Sequence, residues 1–133
     1  MLYSILAMNT PWRRRVLAPA NIAAPVVTGT GYVGYTLSTT DGVWTGDPAP
    51  TTFTYQWQRN TGTWTDIAGA TAATYAVTLA DEGVPVRCVV TATNTAGSAS
   101  ANSNAVEQWV PSDGGTVRTW YDAADASTIT IAT

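Results

Sequence analysis

The 133-residue chain has no histidine and no lysine, a single cysteine and only 11% charged residues, less than half of the roughly 25% usual in soluble domains. Each shortage excludes something. Without histidine, the base that most hydrolytic sites use near neutrality is missing. Six arginines against nine acids give a net charge of −3, which offers no basic face to displace the counterions of nucleic acid. Cys88, being alone, forms no internal disulfide and reads as a small buried hydrophobe rather than a reactive thiol. No apolar run approaches the ~20 residues of a membrane-spanning helix. The apolar run 2–8 is too short for a signal-peptide core, and its arginines follow rather than precede it. The expectation is an unprocessed protein made in the cytoplasm, with no nucleic-acid or membrane partner.

The acids argue against a catalytic or metal centre. Asp41, Asp47, Asp66, Asp81, Glu82 and Asp113 sit in turn-like stretches, where carboxylates commonly bond to nearby backbone. Asp122 and Asp125 are close in sequence, but two oxygens do not make a calcium cage. Gly29-Thr30-Gly31-Tyr32-Val33-Gly34 matches part of a dinucleotide fingerprint, yet it opens a strand rather than a helix. No cofactor, metal or catalytic residue is therefore expected, and the protein is read as not an enzyme.

What the chain has in quantity is Thr, Ser, Ala, Gly and aromatics in short alternating runs. Tyr55-Gln56-Trp57-Gln58-Arg59 places Tyr55 and Trp57 on one face and two glutamines on the other, the period of a half-buried strand. Residues 86–94 repeat the alternation around Cys88. Further strands are read at 25–29, 32–39 (Val33, Tyr35 and Leu37 on one face), 63–67, 74–79 (Tyr75, Val77 and Leu79 inward) and 99–106. Asp41-Gly42, Asn60-Thr61-Gly62 and 94–98 are turns, 80–83 a corner, and 44–50 a proline-rich connection. No 3.6-residue apolar stripe runs through 25–106. The predicted fold is all-β, a sandwich of about seven strands. Trp57 is its expected buried centre, with Leu37, Tyr75, Cys88 and Val90 around it. A tryptophan on one strand with a small residue packed over it is the core arrangement of an immunoglobulin-like sandwich. Leu37 facing Cys88 would then supply apolar packing where many such domains have a disulfide.

Residues 25–106 resemble the bacterial and phage immunoglobulin-like repeat. The resemblance is carried by Val33-Gly34-Tyr35-Thr36-Leu37, Gly42-Val43-Trp44-Thr45-Gly46, Thr54-Tyr55-Gln56-Trp57-Gln58-Arg59, Ile67-Ala68-Gly69-Ala70-Thr71, Thr74-Tyr75, Asp81-Glu82-Gly83 and Val90-Thr91-Ala92-Thr93-Asn94-Thr95-Ala96-Gly97-Ser98, in that order. Cys88 departs from it, since such repeats more often carry an aliphatic or aromatic residue there. Residues 107–133 have linker composition and then resemble, from Trp120-Tyr121-Asp122, the opening of a concanavalin- or laminin-G-like domain.

Residues 1–24 fall outside the sandwich pattern. Half of the positive charge lies in Arg13-Arg14-Arg15, behind an apolar run and Trp12. We read 1–24 as an extended docking arm, with Leu2, Tyr3, Ile5, Leu6, Trp12, Arg13, Arg14 and Arg15 as anchors on a partner protein, because aromatic and arginine side chains dominate interface energies. The alternative is a solvated tail. Tyr32, Trp44 and Trp64 are candidate glycan contacts, or else covers over the ends of the core. The resemblance implies a non-enzymatic component of a tailed-phage virion: capsid decoration, head fibre, or tail or baseplate fibre. Many copies would bind other virion proteins through the arm, and host surface carbohydrate would be a second, weak partner. A bacterial cell-surface adhesin or cell-wall repeat is the rival reading.

Overall fold

The computed structural model describes residues 14–107. Within them the chain forms nine strands: β1 (Leu17–Ala23), β2 (Val27–Thr28), β3 (Thr36–Thr39), β4 (Val43–Asp47), β5 (Thr52–Asn60), β6 (Trp64–Asp66), β7 (Thr74–Ala76), β8 (Val86–Asn94) and β9 (Gly97–Asn102). A single 3-10 turn, Leu79–Asp81, fills the corner before β8. All pairings are antiparallel. Three strands in the order β2-β3-β7 make one sheet, four in the order β6-β5-β8-β9 make a second, and β1-β4 forms a separate two-stranded ribbon.

The two larger sheets enclose one core. Val27, Leu37 and Tyr75 come from the first, and Trp57, Val86, Cys88 and Val90 from the second. The period of two explains the selection: along β8, Val86, Cys88, Val90 and Ala92 are buried while the residues between them are not. In the longest pairing, β5 with β8, Trp57 stands directly opposite Cys88. Trp57 and Leu37 are completely buried, and the Trp57 ring stacks on Tyr75 at 5.5 Å between centroids. The Trp57 indole N–H donates to Ala72 O at 2.8 Å, so its one polar atom is satisfied inside the core. The predicted centre, Leu37, Trp57, Tyr75, Cys88 and Val90, is thus one connected cluster.

Three local readings need correction. Val33 and Tyr35 do not face the core with Leu37; they are 38% and 59% exposed. The strand begins only at Thr36, because residues 32–35 form a turn closed by Tyr35 N–H to Tyr32 O at 3.0 Å. Leu79 is 74% exposed, since the alternation that buries Tyr75 and Val77 ends where the 3-10 turn starts. The expected connection 44–50 begins as a strand, β4, and continues into the cis Asp47–Pro48 peptide.

The largest difference concerns the arm. Residues 17–23 are not outside the folded unit: they form β1, paired with β4 through Leu17↔Asp47, Ala20↔Thr45, Asn21↔Trp44 and Ala23↔Val43. Register shifts interrupt the ladder on either side of Ala20-Asn21, and buried Pro19 sits in the first of them, where its missing N–H breaks no bond. The turn joining β3 to β4 depends on Gly42, whose φ is +81° and where a Cβ would lie 2.7 Å from Ala23 O.

Candidate functional site

The most organised polar cluster lies where β5, β7 and the 3-10 turn meet. Asp81 is the one fully buried charged residue among those described. Its Oδ1 accepts from Arg59 Nε at 2.8 Å. Its Oδ2 accepts from Tyr75 Oη at 2.6 Å and from the Thr78 amide and hydroxyl, both at 2.8 Å. Burial pushes the Asp81 carboxyl upward, but the bonds from Tyr75 and Thr78 and the Arg59 charge outweigh it and hold the group below the usual aspartate value. Burial likewise acts against the Arg59 charge, and Tyr75 and Asp81 reverse it, so the guanidinium titrates higher than normal. Tyr75 is raised by burial and by Asp81. Four hydrogen bonds on its two oxygens, one of them from Arg59, make Asp81 half of a fixed ion pair.

Beside this cluster runs a groove of about 380 Å³. It is lined by Arg59, by Thr74, Tyr75 and Ala76 of β7, and by the loop from Ile67 to Ala72. That loop is pinned to the core: Trp57 N–H donates to Ala70 O at 2.9 Å, Ile67 N–H to Trp57 O at 2.9 Å, and Gln56 Nε2 to Ile67 O at 2.9 Å. Its lining is small and mostly apolar, with Ala68, Gly69, Ala70 and Ala72. The groove is shallow and open to solvent along its length. No set of three or more His, Cys, Asp or Glu side chains that could hold a metal gathers among the described residues.

Cys88 is fully buried, and burial pushes its thiol up to about 11. The Tyr55 hydroxyl donates to Asp41 Oδ1 at 2.6 Å, a bond that together with burial pushes its pKa to about 12.

The three aromatic candidates stand on separate elements. Trp44 lies on β4, packs against the core and donates its indole N–H to Asp41 O at 2.6 Å. Trp64 lies on β6 with the Arg87 guanidinium 4.1 Å over its ring, and Arg87 Nε bonds Gln58 Oε1 at 2.9 Å. Tyr32 lies in the β2–β3 loop, edge-on to Tyr35 at 5.9 Å. Of the docking anchors, Leu2, Tyr3, Ile5, Leu6, Trp12 and Arg13 lie outside the described residues, as do Asp122, Asp125 and the rest of 108–133. Arg14 pairs with Asp47 on the surface, and Arg15 is exposed.

Sequence reasoning grouped Asp81 with the ordinary turn acids and missed its ion pair. The one available signal was Thr78-x-x-Asp81, the spacing by which a hydroxyl residue and an acid close a helical turn. The groove had none, because it arises from how the loop after β6 crosses to β7.

No family model, curated protein or solved structure matches this chain at a significant level.

Proposed function

We propose that the protein is a non-enzymatic structural component of a tailed-phage particle, in which the sandwich is an in-line display or spacer module. The observation that carries this reading is where the chain enters and leaves. Leu17 O is held by Asn94 Nδ2 at 2.7 Å, at the far end of β8. Val106 is held by Val86 at its near end, through bonds of 3.0 and 2.8 Å between the two backbones. Eight steps of β8 separate these points, roughly 26 Å at the usual rise. The described chain therefore arrives at one end of the domain and departs at the other, as a module strung between two attachments requires. The order β2-β3-β7 facing β6-β5-β8-β9 supports an immunoglobulin-like sandwich, and the quiet, weakly charged surface suits passive display in many copies. Glycan adsorption, on this reading, runs through single exposed aromatics such as Tyr32 rather than a shared platform.

Docking is assigned to the segment before β1. The test deletes residues 1–13 only, since removing 1–24 would destroy β1. The shortened protein keeps its melting temperature and fails to co-purify with particles. Normal incorporation overturns the docking arm. Absence of the full-length protein from purified particles, with recovery in a cell-wall fraction, favours the bacterial surface module instead.

A further inference from the structure

The edge of a β-sheet is a row of unpaired N–H and C=O groups, which proteins usually cover or blunt. Four strands border the two larger sheets: β2, β7, β6 and β9. Asn104 seals β2, donating to Val27 O at 3.1 Å and accepting from Val27 N–H at 2.7 Å. At β9, Ala18 of β1 comes within 3.5 Å of a Cβ placed on Gly97. On β6 stand Asp66 and Trp64, the latter under Arg87. Among the described residues, strand β7, Thr74-Tyr75-Ala76, has no such device on its outer side: it carries no charge, no proline and no large exposed side chain of its own.

The register shows which backbone groups lie on that side. Thr39 N–H donates to Ala73 O at 2.9 Å and Val77 N–H to Tyr35 O at 2.8 Å. Bonded and non-bonded pairs alternate across an antiparallel ladder, so Ala73, Tyr75 and Val77 turn toward β3. Thr74 and Ala76, opposite Ser38 and Thr36, turn their N–H and C=O away from it, toward the groove. The pinned loop from Ile67 to Ala72 keeps the groove open beside them. At its side, the Arg59 guanidinium spends Nε on Asp81 and one Nη2 proton on Tyr75, leaving further donors on a group that is 23% exposed.

We propose that the β7 edge and its groove bind an extended segment of another polypeptide, added as a fourth strand to the β2-β3-β7 sheet with a carboxylate at Arg59. Main-chain bonds at Thr74 and Ala76 supply the affinity, and the small lining selects small or β-branched side chains on the incoming strand. A carboxylate fits because the Arg59 guanidinium, its charge already balanced by Asp81, still holds unspent N–H donors beside the groove. The edge is three residues long, so each contact is far smaller than the ~1,600 Å² of a standard interface and gains strength from repetition. The pre-formed wall lowers the ordering cost of binding.

The test uses the full 133-residue chain and a short synthetic peptide of alternating threonine and valine with a free C-terminal carboxylate. Amide NMR shifts and slowed hydrogen exchange at Thr74 and Ala76 are expected on titration, and the C-terminally amidated twin binds several-fold more weakly. Ala76→Pro removes an outward N–H without breaking a bond to β3 and weakens binding roughly tenfold. Should that variant misfold, Ala76→Glu gives the same loss by setting a like charge against the peptide's carboxylate. Peptide that leaves Thr74 and Ala76 unshifted overturns the proposal. So does concentration-dependent dimerisation that shifts the same amides without peptide, which would make the occupant a second copy.

Discussion

The β5–β8 pair and the β1–β4 ribbon are both antiparallel ladders, yet they are held by different means. The first is driven by what lies beneath it: Trp57, Cys88, Val86 and Val90 are entirely buried, and the register runs without interruption from Thr52↔Thr93 to Arg59↔Val86. The second has one buried residue on β1, Pro19, two register shifts, and exposed Leu17 and Ile22. It is fastened by side chains that reach across to backbone. Asn94 donates to both Leu17 O and Pro48 O at 2.7 Å while its Oδ1 accepts from Ala96 and Gly97. Asn21 donates to Ala23 O and Val43 O. Apolar burial scales with area and is distributed, whereas each polar fastening is a single point that one substitution can remove.

Substitutions can break this contrast in order of size. Trp57→Ala leaves a large cavity and costs about 3–5 kcal/mol, read by chemical denaturation; an unchanged midpoint would refute the core assignment. Asp81→Asn strips the charge that compensates Arg59 and costs about 3 kcal/mol. The folded carboxyl titrates below its usual value, so the unfolded chain takes up the proton first. Its stabilisation is complete above the ordinary aspartate value of 3.8 and disappears as pH falls through the lower folded value. Wild-type stability should therefore drop steeply below about pH 4, and Asp81→Asn should flatten that limb; equal slopes would show that other groups dominate it. Asn94→Ala costs about 1–2 kcal/mol, and hydrogen exchange should accelerate in β1 and β4 while β5 and β8 keep their protection. Uniform acceleration would mean that ribbon and core open together. Arg14→Ala removes an exposed ion pair with Asp47 and should leave the melting temperature unchanged, as is usual for surface pairs.

The same contrast explains what could be read from the sequence. Strands buried on one face write their burial as alternation, so β5, β7 and β8 and the cluster of Leu37, Trp57, Tyr75, Cys88 and Val90 were legible. Strand β1, Leu-Ala-Pro-Ala-Asn-Ile-Ala, carries no alternation, because its pairing rests on Asn21, on Asn94 more than seventy positions away and on a bulge that accommodates Pro19. Strand β4 was hidden by Gly46 and Pro48 for the same reason. Tyr35 and Leu79 kept the apolar alternation past the points where turn hydrogen bonding had already ended each strand. The groove beside β7 depends on a loop crossing between sheets, and the Arg59–Asp81 pair joins residues 22 positions apart. Neither leaves a local signature.

The placement of Leu17 and Val106 at opposite ends of β8 also has a mechanical meaning. Tension applied through the two flanking segments runs along the length of that strand. Ladders loaded lengthwise must give up several bonds together, whereas ladders peeled from one end lose them singly. The Val86–Val106 bridge would be the clamp on one side and the Asn94–Leu17 bond the latch on the other. The latch, a single amide backed only by the twice-interrupted β1–β4 ladder, should yield first, and that ladder then unzips to pay out residues 17–23 before the Trp57 core bears any load.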